Sequence, residues 1–311
     1  MVNVLLKLSA LATVVALSGC GGGSGGGGGG STGSSVSSGQ LSLGITDGPV
    51  ENASEVVVSF TSVELQGPER KLIEFEEAKT LNLLALQGED RSLLLDGESL
   101  ESGDYQWIRL GVNEADSYIV IDGSQYPLEI PSSAQTGLKL NRGFTIGAGS
   151  TNDFTIDFDL RKSVHQEGTG DYKLRPTLRL VDNLEVNTVN GTVAEALVID
   201  ADCNNGDNSD TGNAVYLFNG SDAFIQDIQG NDADPMTSAT VAYNPSTELY
   251  EFTIGYVSVG DYTVAFTCDA LLDINTEDNT ADNNEDNDVV SFSAGVNLSV
   301  TTGDDLPTNI E

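Results

Sequence analysis

From Gln40 onward, apolar and polar residues alternate mostly with period two, the spacing of strands rather than of amphipathic helices. Leu41, Leu43 and Ile45 alternate with Ser42, Gly44 and Thr46, which puts the two sets on opposite faces of one strand. The run Glu55–Gln66 is rich in β-branched residues and stops at Gly67-Pro68, so that Lys71–Phe75 can return as a hairpin arm. Tyr105–Val112, Tyr118–Ile121 and Phe144–Ile146 read as further strands, and only Leu81–Leu86 suits a short helix. Gly, Asn, Asp and Pro punctuate the pattern throughout. The expected class is all-β, built as two β-sandwich domains.

The clearest alternation lies in Phe154–Val164. Phe154, Ile156, Phe158 and Leu160 share one face, and Thr155, Asp157, Asp159 and Arg161 share the other. Tyr172–Val181 alternates in the same way, with Lys173, Arg175 and Arg179 on its polar side. If the two strands pair, Asp157 and Asp159 come near Arg175 and Arg179. Such a group is either a cross-strand ion ladder that fixes register or a site for a charged ligand.

Five segments occur in order here: Ile45-Thr46-Asp47-Gly48-Pro49; Gly103 with Tyr105 and Ile108-Arg109-Leu110; Gly137-Leu138-Lys139-Leu140; Asp157-Phe158-Asp159-Leu160-Arg161-Lys162-Ser163; and Tyr172-Lys173-Leu174-Arg175-Pro176. The set resembles the bacterial lipoprotein family called domain of unknown function 4382, over about Gln40 to Asn183. The resemblance implies an exported β-sheet protein and carries over no catalytic residue. A second strand set begins near Glu185. Asn190-Gly191-Thr192-Val193 leads a strand to Ile199, and Ala214–Phe218, Ala239–Tyr243, Tyr250–Ile254, Asp261–Thr267 and Val289–Val300 follow. The order Gly-x-Val, Tyr250-Glu251-Phe252 and Gly260-Asp261-Tyr262-Thr263-Val264 is similar to carboxypeptidase-regulatory-like or transthyretin-like sandwiches, which implies an accessory module.

The N-terminus reads as an address. Lys7 precedes an apolar stretch, Leu8–Leu17, too short to span a bilayer comfortably and suited to a signal peptide. Leu17-Ser18-Gly19-Cys20 follows and resembles the bacterial lipobox, which implies cleavage before Cys20 and acylation of its sulfur and freed amine. Two or three acyl chains anchor stably where one would not. Gly21, rather than Asp, favours the outer membrane if the cell is Gram-negative. Residues 21–39 are almost all Gly and Ser and form a disordered tether of roughly 25 Å root-mean-square reach. The expected organisation is therefore a signal peptide at 1–19, lipidated Cys20 and tether at 20–39, one sandwich at 40–184, an acidic second sandwich at 185–303 and a tail at 304–311.

Charge narrows the function. The chain carries 48 Asp and Glu against 13 Lys and Arg, a net charge of -35. A polyanion of this size repels phosphate backbones, so nucleic acid is not an expected partner. The last basic residue is Arg179, and Leu180–Glu311 holds 25 Asp and Glu. That half is either a solvated acidic surface or a calcium binder. Asp200, Asp202, Asn204 and Asp207 begin like a calcium loop, but Asn205 stands where Gly is wanted and Thr211 where the closing Glu is wanted. A second acidic run spans Asp273–Asp288.

Once Cys20 is lipidated, Cys203 and Cys268 are left, either to pair, as an oxidising compartment favours, or to stand as two separate buried thiols. Closing their loop stabilises by roughly 4 kcal/mol in the chain-entropy model. The only histidine is His165, so a Ser-His-Asp triad would have to use it, and a zinc site is not expected. Trp107, Tyr105, Tyr118 and Tyr126 suggest either a sugar platform or ordinary strand packing. The expected role is a non-enzymatic binding or structural function at the cell envelope, with an envelope protein or polysaccharide as partner. The runner-up is a calcium-assisted carbohydrate- or protein-binding adhesin module, and an enzyme comes third.

Overall fold

The strand Ser38–Gly48 buries Leu41, Leu43 and Ile45 completely and lies inside a four-stranded sheet. It runs parallel to Thr151–Asp159 on one edge and antiparallel to Ser92–Glu101 on the other, and Thr177–Asp182 flanks Thr151–Asp159. This computed structural model describes residues 37–50, 52–131, 137–167, 170–200, 203, 212–273, 290–302 and 306–311.

A second sheet, of eight strands, covers the apolar face of the first. Its order is Val164–Gln166, Tyr172–Leu174, Ser124–Glu129, Tyr118–Ile121, Glu55–Gln66, Trp107–Val112 and Leu138–Leu140, with Arg70–Asn82 also paired to Glu55–Gln66. The 12-residue strand Glu55–Gln66 changes the parity of its core positions midway. Val56, Val58 and Phe60 face the core, then Val63 and Leu65 do. The register shift between Phe60 and Ser62 accounts for this: a bulge inserts one residue and returns the next apolar residues to the inner face. These side chains meet Leu43, Ile45, Phe154, Ile156 and Phe158 of the first sheet in one core. Phe144–Ile146 and Gly103–Tyr105 form a two-stranded sheet.

Residues 186–310 form a second sandwich. One sheet has the order Ala242–Asn244, Leu249–Ser258, Val186–Val193, Leu306–Ile310, and the other Thr237–Thr240, Ala214–Asn219, Gly260–Thr267, Val296–Val300. Val189, Phe252 and Ile254 of one meet Val215, Leu217, Val264 and Phe266 of the other. Cys203 and Cys268 are disulfide-bonded, with Cα atoms 5.5 Å apart. No described strand of 38–182 pairs with one of 186–310.

Several elements depart from the alternation. Strand Thr151–Asp159 ends five residues early, because the Asp159 side chain accepts from Lys162 N at 3.1 Å and caps a helical turn, Leu160–Ser163. The run Tyr172–Val181 divides into Tyr172–Leu174 and Thr177–Asp182 around Pro176. Leu81–Leu86 is not a helix of its own: its first residues belong to Arg70–Asn82 and only Leu83–Ala85 makes a 3-10 turn. The strand led by Asn190 stops at Val193, before the turn Glu195–Val198. Residues Leu306–Ile310, expected as a tail, pair in parallel with Val186–Val193.

Candidate functional site

The polar side of Thr151–Asp159 faces the second sandwich instead of water. Thr155, Asp157, Asp159 and Arg161 are 0%, 6%, 8% and 3% exposed. Four charged or hydroxyl side chains at this burial need partners: Thr155, Asp157 and Asp159 find theirs in Arg91, Asn183, Arg179 and Lys162, and Arg161 finds its own in the second sandwich.

Arg161 is the centre. The turn Leu160–Ser163 lifts it out of the strand path, and its side chain reaches across. Its Nε donates to Ser238 Oγ at 3.1 Å and its Nη1 to the Ala270 carbonyl at 3.1 Å. Its guanidinium lies over the Tyr216 ring, 4.8 Å from the centroid. Tyr216 in turn donates its hydroxyl to Asp273 Oδ2 at 2.6 Å, and Ile228 N donates to Asp273 Oδ1 at 3.2 Å. Burial pushes the Asp273 carboxyl up to about 6, against the opposing pull of Arg161 and of the Tyr216 bond.

The expected ladder of Asp157, Asp159, Arg175 and Arg179 resolves differently. Asp157 and Arg179 do pair, from Arg179 Nε and Nη2 to Asp157 Oδ2. Arg179 continues across the junction, to Met236 Sδ at 3.3 Å and the Tyr256 carbonyl at 3.5 Å. Asp159 sits opposite Thr177 and takes Lys162 as its ion pair at 3.5 Å. Burial pushes Asp159 up, and Lys162 opposes it. Lys162 also donates to the Pro235 carbonyl. Arg175 stands outside the ladder, because Pro176 ends its strand segment and its backbone N–H bonds Ser163 O. These residues, with His165, line one wall of a cleft of about 750 Å³ whose other wall includes Asn219, Asp232, Asp234 and Met236.

Further along the junction, the bulge at Gly255 and Tyr256 meets the turn at Gly88. Tyr256 has a left-handed φ of 54° and donates its hydroxyl to the Glu89 carbonyl at 2.9 Å. Arg91 forks onto Asp153, 2.9 Å to each oxygen. Burial raises the Asp153 carboxyl, but Arg91 and Asn183 outweigh it and the net shift is below its ordinary range.

Asp200 is described, and its carbonyl accepts from Cys203 N at 3.0 Å. Asp202 and Asp207 lie outside the described residues, as do Cys20, the tether up to residue 36 and most of the Asp273–Asp288 run, while Ser38 and Gly39, expected at the end of the tether, open the first strand. Among the described residues, no three His, Cys, Asp or Glu side chains gather as a metal site. The four aromatics do not form one strip. Tyr105 is buried against Phe144. Tyr118 pairs with Pro127 while Tyr126 pairs with Ile119, so the two tyrosines point to opposite faces. Trp107 instead lies beside Arg109 and Lys139. The role of Arg161 had two sequence signals, a charged residue near the end of an alternating strand and its place in the segment Asp157–Ser163 that carries the family resemblance, and neither pointed to a partner in the second sandwich.

Residues 38–176 match the family described as a domain of unknown function, DUF4382. Arg161 lies inside that match, while Tyr216, Ser238 and Ala270 lie beyond it. No curated protein matches the chain. Among solved structures, a leucine-rich repeat protein from Bacteroides thetaiotaomicron is 11% identical with a TM-score of 0.21, over 88% of this chain and 26% of that one. The TIE protein of Bacillus anthracis is 10% identical with a TM-score of 0.19, over 88% and 34%. The major pilin subunit of Bacillus cereus is 9% identical with a TM-score of 0.19, over 88% and 98%. The chain thus spans about a quarter and a third of the first two.

Proposed function

We propose that this chain, whose first half matches a domain family of unknown function, is a cell-envelope lipoprotein with a non-enzymatic binding or structural role. Acyl chains on Cys20 hold it to a membrane, the outer one in a Gram-negative cell, and the Gly/Ser tether sets the sandwiches off the lipid. The second sandwich acts as an accessory module of the carboxypeptidase-regulatory or transthyretin type.

The observation that carries the reading is the use made of the junction's ionisable groups. Arg161 is engaged with Ser238, Ala270 and the Tyr216 ring, Arg179 with Asp157, and Lys162 with Asp159 and Pro235. Groups whose hydrogen bonds and ion pairs are taken up in joining two sandwiches are held in one geometry, whereas acid–base catalysis needs a group placed to exchange a proton with substrate. A fixed two-sandwich body suits the presentation of a surface.

The test is fractionation of cells expressing the intact chain and its Cys20→Ser variant. The intact chain should resist carbonate extraction from membranes and take up labelled palmitate, and the variant should be soluble and unlabelled. A variant that still resists extraction overturns the anchoring.

A further inference from the structure

The outer face of the eight-stranded sheet carries a cationic and aromatic patch on a chain of net charge -35. Strand register sets it out. Leu72 pairs with Glu64, Glu64 with Arg109, and Arg109 with Lys139, so these four side chains form a row across four strands. Ile108 and Leu110 point into the core, which places Trp107 on the outer face with Arg109. Trp107 belongs to the next row, opposite Gln66, which pairs with Arg70.

The patch is ordered by its own contacts. Arg70 and Arg109 both bond the Glu64 carboxylate. The Arg109 guanidinium and the Lys139 ammonium lie 4.8 and 5.0 Å from the Trp107 ring centroid. Within these two rows three cations stand against one carboxylate, an excess of two positives, and Glu74 lies on the same face in the row beyond, opposite Ser62. The Arg70 side chain is 61% exposed and Leu72 is 54% exposed.

We propose that this face binds a carboxylate-bearing polysaccharide, laid flat across the strands. The proposal rests on the envelope-surface reading above and names the ligand class for it. With strands about 4.8 Å apart, the row from Leu72 to Lys139 is about 14 Å wide, room for a short run of sugar rings. Lys139 and Arg70 supply the charge for carboxylates, and Trp107 with Leu72 supplies apolar ground for the C–H faces of the rings. Glu64, gripped by two arginines, stays ionised and holds the guanidinium groups in place. A flat face fits an extended polymer better than a small anion, which prefers a concave site. A polyuronate carries one carboxylate per ring, a sparser charge than a nucleic acid's, and so meets less repulsion from the acidic remainder of the chain.

The test titrates the full-length lipidated chain in detergent with oligogalacturonate, with the fully methyl-esterified oligomer and with polyglutamate, by calorimetry. The acid oligomer should bind, weakening as sodium chloride rises, and neither comparison ligand should match it. Trp107→Ala and Lys139→Glu should each weaken binding at least tenfold, with Lys139→Glu leaving the thermal midpoint unchanged. No binding, equal binding of the ester, or variants that bind like the parent overturns the proposal. Equal binding of polyglutamate reduces the face to a charge patch and overturns the sugar assignment. Carbonate-resistant membrane association of the same material is scored separately, so lost sugar binding with retained association refutes only this ligand, and the reverse refutes only the anchor.

Discussion

Arg161 lies over the ring of Tyr216, with the guanidinium carbon 4.8 Å from the ring centroid, although the two residues belong to different sandwiches. A buried arginine between two modules makes each dependent on the other. Arg161→Leu should lower stability by about 2–4 kcal/mol, since Ser238 and the Ala270 carbonyl lose a charged donor. Arg161→Lys keeps the charge but not the planar fork or the stack and should recover only part of the loss. Urea unfolding of the full chain, followed by circular dichroism, measures both. A fragment ending at Asn183 keeps every strand partner of the first three sheets and should melt cooperatively, but below the full chain.

The Asp273 carboxyl is raised to about 6 from an ordinary 3.8, chiefly by burial. Below both values the group is protonated whether folded or unfolded and has no effect. Between them the unfolded chain gives up its proton first, so stability falls as pH rises, and above 6 the full penalty of about 3 kcal/mol applies. Asp273→Asn should therefore stabilise the chain at pH 8 relative to its effect at pH 4, while keeping an acceptor for the Tyr216 hydroxyl. Paired denaturation curves of parent and variant at the two pH values check the sign. An effect independent of pH would place Asp273 in a more solvated setting.

Gly255 lies where a Cβ atom would stand 1.9 Å from the Gly88 carbonyl oxygen. That neighbour is backbone and cannot turn aside, so Gly255→Ala must push the bulge off the turn. The expected cost is about 1–3 kcal/mol, together with faster proteolysis at the Gly88 turn. Gly97→Ala is the control, because nothing lies within 4 Å of its Cβ and only its left-handed backbone resists the change.

Asp200, Asp202 and Asp207, or the run Asp273–Asp288, should bind calcium weakly, in the range of roughly 10⁻⁴–10⁻³ M for extracellular modules. Millimolar calcium in excess sodium chloride should then raise the thermal midpoint, where magnesium at equal ionic strength should not. An unchanged midpoint and no heat in calorimetry would reduce both loops to solvated acid.

The strands were legible wherever alternation was regular, as in Leu41–Ile45 and Phe154–Phe158, because burial of one face leaves a period-two record. The Asp157–Arg179 pair and the Cys203–Cys268 bond were legible for related reasons, one from register and one from the count of available thiols. The bulge at Thr61 was not, since a single inserted residue only shifts parity inside an already apolar run. Nor was the end of the strand at Asp159, where a side-chain cap overrode alternation that continued to Val164. The burial of Thr155, Asp157 and Arg161 was hidden for a different reason. A polar face reads as solvent-exposed in sequence, and the groups that engage Arg161, at Tyr216, Ser238 and Ala270, lie 55 to 109 residues further on.

The strand Ser38–Gly48 is hydrogen-bonded along both edges, and the chain preceding it leads back toward residue 20. A pull on residue 37 directed along the strand loads both rows of hydrogen bonds in shear, so they must give way together instead of opening one by one. Resistance of that kind is governed by the rate of unfolding rather than by equilibrium stability. Under the anchoring proposed at Cys20, a body held through this strand would withstand drag at its point of attachment even when its overall stability is ordinary.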